Sequence, residues 1–94
     1  MKAKLIVYNL SKLDQYHKVL LNRALFGYKD NSNHNSYHYK RKGILSEIPH
    51  FRLPKGAIIV KESDQNKIIS LLNEHKAKNK KFNISIDKSM LQNH

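Results

Sequence analysis

Lys4-Leu5-Ile6-Val7-Tyr8-Asn9-Leu10, near the start of the chain, and Gly56-Ala57-Ile58-Ile59-Val60-Lys61, past its middle, decide the fold. Each is a compact apolar run of strand length, rich in branched residues. Such runs belong to central strands, which are flanked on both edges and buried over most of their surface. Everything else in the chain is more polar or more evenly alternating, so these two strands form the middle of whatever sheet exists.

Working outward, Ser11-Lys12-Leu13-Asp14 has the spacing of a capping box, with Ser at the cap and an acid three residues on. Leu13, Tyr16, Leu20, Ala24 and Tyr28 follow at helical spacing, flanked by His17, Leu21 and Leu25, and Gly27 can close the helix in a left-handed conformation. Lys29 to Ser36 is polar and rich in Asn and Ser, and reads as a loop or wide turn. Tyr37 to Leu45 alternates without an apolar face and reads as an edge strand. Ser46 to Lys55 holds both prolines and reads as irregular.

Past the second apolar run, Ser63 or Asp64 caps a second helix with Ile68, Ile69, Leu71, Leu72 and His75 on its apolar side. His75 to Lys81 is a basic connector, and Phe82, Ile84 and Ile86 alternate with Asn83 and Ser85 as a last strand. The expected domain spans residues 1–86, with residues 87–94 as a frayed tail. The order β-α-β-β-α-β builds an α+β, ferredoxin-like sandwich: a four-stranded antiparallel sheet with two helices on one face. Strands one and three are central in that fold, which matches the two continuous apolar runs. The expected core joins Leu5, Val7 or their neighbours to Leu20, Ile58, Val60, Ile68 and Leu72.

The 94 residues make one domain. They carry 18 Lys and Arg against 7 Asp and Glu, a net charge of +11, which points to a polyanionic partner. No apolar run approaches the length of a membrane span, and the absence of cysteine leaves neither disulfides nor thiolate metal sites. A cytoplasmic setting and no membrane partner are expected.

Tyr37-His38-Tyr39-Lys40-Arg41-Lys42 concentrates the chemistry. Cations neutralise phosphates and aromatic rings stack on bases, so Tyr37, Tyr39, Lys40, Arg41 and Lys42 are the first candidate nucleic-acid contacts. Arg52 and Lys55 could extend that surface. Lys76, Lys78, Lys80 and Lys81 form a second cluster suited to phosphate without sequence reading. Asp30, His34 and His38 have helical metal-ligand spacing, but the Asn and Ser between them oppose a helix, so neither a metal nor a cofactor is expected. With scattered acids, isolated glycines and no Ser/His/Asp grouping, no enzymatic activity is expected either.

Leu5-Ile6-Val7-Tyr8-Asn9-Leu10 resembles the shorter motif of the RNA recognition motif family, an aliphatic, an aromatic, an aliphatic, any residue, then Asn-Leu. Lys55-Gly56-Ala57-Ile58-Ile59-Val60 distantly resembles the longer motif, which begins with a basic residue and Gly. The resemblance implies the shared sandwich. The family's stacking aromatics would fall near Ile6, Ala57 and Ile59, all aliphatic here, so its base-stacking mechanism is not implied. The fold and length also resemble the small metal-dependent nucleases of CRISPR systems, whose first strand ends in an acidic ligand where this chain has Asn9. Residues Leu21 to Pro49 look like small archaeal proteins, a likeness that implies no activity. The reading that follows is an RNA-binding protein associated with a ribosome or other ribonucleoprotein. The alternatives are a DNA-binding or transcription-associated dimer, joined through the open sheet face or an edge strand, and a nuclease subunit.

Overall fold

The computed structural model describes residues 1–31 and 38–91, with the backbone alone at 29–31 and 38–40. The elements are β1 (Lys2–Asn9), α1 (Gln15–Phe26), β2 (Tyr28–Asn31), β3 (His38–Arg41), β4 (His50–Leu53), β5 (Ala57–Lys61), α2 (Gln65–Glu74) and β6 (Lys78–Ser85). Four of the strands form an antiparallel sheet in the order β4-β5-β1-β6, and β2 pairs with β3 in a separate two-stranded sheet. The two apolar runs are the central strands, with Ile6 opposite Ile58 and Leu5 opposite Ile59. The fold is the ferredoxin-like sandwich.

Side chains alternate along each strand, so the register sorts the sheet into two faces. Ile6, Tyr8, Ile58 and Val60 point towards the helices and pack with Leu21 and Leu25 of α1 and Ile68 and Leu72 of α2. Leu45 and Ile48, from the segment between β3 and β4, complete this core. Each such side chain contributes about 1.5–3 kcal/mol by leaving water. The buried strand residues are therefore Ile6 and Tyr8 rather than Leu5 and Val7. On α1, Leu21 and Leu25 take the buried positions while Leu20 is half-buried and Tyr16 is 68% exposed. One residue of offset rotates a helix by about 100°, so the stripe through Tyr16 and Leu20 faces away from the sheet.

The helix ends have specific chemistry. The cap of α1 is Asp14, not Ser11: its carboxylate accepts the His17 backbone N–H at 2.8 Å, whereas the Ser11 N–H donates to Asn9 Oδ1. The helix stops at Gly27, whose φ of 79° is left-handed and whose N–H donates to the Arg23 carbonyl. A Cβ at Gly27 would collide with the carbonyl oxygen of Arg41, so this glycine also lets the base of the β2–β3 hairpin close. Asp64 precedes α2 without a side-chain capping bond. At the other end of α2, Lys76 takes the left-handed position with φ 58°, and Ala77 N–H donates to Leu72 O and Lys76 N–H to Asn73 O. This is a Schellman closure with lysine where glycine is usual.

The fourth sheet strand is not where the alternation of Tyr37 to Leu45 puts it. Residues His38–Arg41 pair with Tyr28–Asn31 instead, so part of the expected loop is strand and the basic-aromatic segment leaves the main sheet. The edge is β4, inside the stretch expected to be irregular. Pro49 precedes it and Pro54 follows it, positions where a missing N–H interrupts no ladder. Likewise β6 begins at Lys78, so the basic connector is shorter than expected and much of it is edge strand. Past β6, Lys88–Met90 forms a 3-10 turn capped by Asp87.

Candidate nucleic-acid interface

Three segments far apart in sequence meet at the end of β1. The β4–β5 turn reaches it through the Gly56 carbonyl, which accepts the Tyr8 N–H at 2.9 Å. A Cβ on Gly56 would lie 2.6 Å from the Tyr8 carbonyl oxygen, so the close approach requires glycine. On the other side β6 begins, with Lys78 opposite Asn9 and Lys80 opposite Val7.

Two concavities adjoin there. One, of about 600 Å³, is lined by Tyr8, Asn9, Asn22, Arg52, Lys55 and Gly56, among others. The second, of about 530 Å³, is lined by Asn9, Asn73, Lys78, Asn79 and Lys80, among others. Both include Val7, Tyr8 and Asn9, so together they make a furrow that wraps round the end of the strand, from Arg52 on the helix side of the sheet to Lys78 and Lys80 on its open side. A third hollow of about 270 Å³, beside the C-terminus of α2, adds Lys12, His75 and Lys76.

Arg52 is held in a defined pose. Its guanidinium carbon sits 3.7 Å from the centre of the Phe26 ring, a cation–π contact that restrains the plane. Such stacking covers the guanidinium face and leaves the N–H edge to donate to a planar or tetrahedral oxyanion. Burial pushes the Tyr8 hydroxyl above its ordinary range, and the charge of Arg52 partly opposes that rise. Lys55 adopts φ 64°, an uncommon left-handed conformation for a side chain of its size. Among the described residues, none of Arg52, Lys55, Lys78 or Lys80 makes a salt bridge, and His17 Nδ1 lies 2.6 Å from Asp14 Oδ1. Asp14 itself is held below the usual carboxylate range, chiefly by the His17 backbone N–H and then by the His17 side chain.

The furrow thus brings together Arg52, Lys55, Lys78 and Lys80, with Lys76 nearby. Lys81, exposed on β6 across from Ile6, lines neither concavity. The hairpin residues are separate: Tyr37 lies outside the described residues, Tyr39 and Lys40 are backbone positions on β3, and Arg41 and Lys42 are exposed at its end. At the base of that hairpin Arg41 is opposite Tyr28, whose ring carries the Arg23 guanidinium at 4.4 Å. His34 of the metal-spaced trio also lies outside the described residues. His17, expected to be partly buried, is exposed and bonded to Asp14, while His75 is half-buried.

Sequence reasoning missed Asn22, Asn73 and Asn79 as lining groups and weighed Asn9 only as an amide in place of an acid. Nothing in their local pattern marks them, since an exposed Asn on a helix or strand is ordinary. No helix among the described residues is long and apolar enough to cross a membrane. The chain matches no protein-family model, and comparison with curated proteins and with solved structures likewise gives no match.

Proposed function

We propose that the protein binds RNA, gripping its phosphates in the basic furrow at the end of β1. The observation that carries this reading is the convergence of Arg52, Lys55, Lys78 and Lys80 on Tyr8 and Asn9. Clustered cations without carboxylate partners stabilise a polyanion by releasing its condensed counterions. RNA is favoured over duplex DNA because these cations sit on turns and strand positions, not along a helix that could enter a major groove. The basic-aromatic segment with Tyr37, Tyr39, Lys40, Arg41 and Lys42 supplies a second contact. A cytoplasmic ribonucleoprotein role suits a small cysteine-free chain with net charge +11.

The test compares two variants of equal net charge. Lys55→Gln, Lys78→Gln and Lys80→Gln together remove furrow charges while keeping Arg52 on Phe26. Lys2→Gln, Lys67→Gln and Lys88→Gln remove three exposed charges from elsewhere. The furrow variant should weaken RNA binding much more. Each lost phosphate contact should flatten the slope of log affinity against log salt by about 0.7 to 0.9. Equal losses in both variants would mean diffuse charge attraction without a site.

A further inference from the structure

The face of the sheet that the helices leave uncovered carries an apolar row from edge to edge. Phe51, Ile59, Leu5 and Phe82 lie directly opposite one another in register, one from each strand, so they form a single row across all four. The neighbouring row is Leu53, Ala57, Val7 and Lys80, and Lys61, Ala3 and Ile84 flank the other side. Phe51, Val7 and Phe82 are 39%, 38% and 50% exposed, so the two rings at the ends of the row and the valine beside it are open to a ligand, while Ile59 within the row is only 6% exposed. A contiguous apolar patch on a small domain marks a binding surface more often than chance.

Charge selects the occupant. The strand positions of this face carry Lys61, Lys78 and Lys80 and no Asp or Glu, while Glu62 lies at its rim beside Ala3 and Ile84. Apolar rings bordered by an excess of cations match an unpaired nucleic-acid strand, whose bases are flat and apolar on their faces and whose backbone is anionic. A second copy of this chain would set like charges against one another. We infer that the open sheet face is a stacking platform for unpaired bases of single-stranded RNA, with Phe51 and Phe82 as its aromatic ends and Lys61, Lys78 and Lys80 holding the backbone. This rests on the RNA-binding reading and adds that the strand must be unpaired.

The experiment measures binding of three probes: an unstructured oligouridine, an abasic phosphodiester strand of the same length, and an RNA duplex. Wild type should prefer oligouridine to both others. Phe82→Ala and Phe51→Ala should each weaken oligouridine binding about 5- to 100-fold, at high salt as well as low, and leave abasic-strand binding unchanged. Phe82→Leu, which keeps the apolar surface but not the ring, guards against a folding defect and should show most of the same loss. Ring variants that bind oligouridine like wild type, while the furrow lysines remain essential, would overturn the platform and leave RNA binding standing. A dimer by light scattering that becomes monomeric in the ring variants, with RNA affinity per chain unchanged, would assign the face to a second copy instead. Failure of wild type to bind any of the three probes would sink both readings.

Discussion

Ile6 and Tyr8 on one side of β1, and Leu5 and Val7 on the other, are adjacent in sequence and comparably apolar, yet they meet different surroundings. The first pair is sealed by α1 and α2. The second pair belongs to the open face, where Val7 keeps 38% of its surface exposed. An apolar strand therefore meets two settings here: one side holds the domain together and the other keeps apolar surface exposed. On β5 the division is less sharp: Ile58 and Val60 face the core, and Ile59, on the outer side between Phe51 and Leu5, is still only 6% exposed.

The largest expected effect tests that division directly. Ile6→Ala should destabilise the protein by about 2–5 kcal/mol, because it leaves a cavity among packed side chains. Val7→Ala, one residue on, should cost less than about 1 kcal/mol, since half-open surface can relax and rehydrate. Urea unfolding of the two variants measures both. Equal losses would mean the outer face is as firmly packed as the inner one.

The other two predictions concern the helices that cover the inner face. The Asp14 carboxylate caps α1, and its folded-state value is depressed by the His17 contacts. A depressed carboxylate contributes stability above its unfolded value, near 3.9, and loses it as pH falls through the lower folded value. Asp14→Asn should keep the cap bond and flatten the acid-side dependence, so the thermal midpoints of the two proteins should converge as pH drops below about 4. A constant difference across that range would take the cap out of the acid response. The smallest effect is expected at the end of α2. Lys76→Gly relieves a left-handed backbone at a cost in unfolded-chain entropy, for a net gain of about 0.5 kcal/mol in thermal unfolding. A loss of stability there would show that the Lys76 side chain contributes packing beyond the turn.

The two central strands and both helices were legible because each carries its own signal, a continuous apolar run or a 3.6-residue repeat, although the cap of α1 is Asp14 rather than Ser11 and its buried stripe is that of Leu21 and Leu25. The edge strand was not. His50-Phe51-Arg52-Leu53 is four residues long between prolines, too short for a period to emerge, while Tyr37 to Leu45 alternates well and pairs only locally with Tyr28–Asn31. Of the candidate site, Arg52, Lys55, Lys78 and Lys80 could be named from charge alone. Their proximity could not, because it depends on β4 and β6 flanking the central pair.

By itself the sequence determined the sandwich, its central strands, its helical cover and its positive charge. Those follow from local periodicity and composition, which act whatever the rest of the chain does. Tertiary structure alone decided which segment closes the sheet, which side of β1 the helices cover, and which cations share a furrow. These depend on strand register: a shift of one residue would exchange Ile6 for Val7 on the inner face and carry Lys80 away from the apolar row.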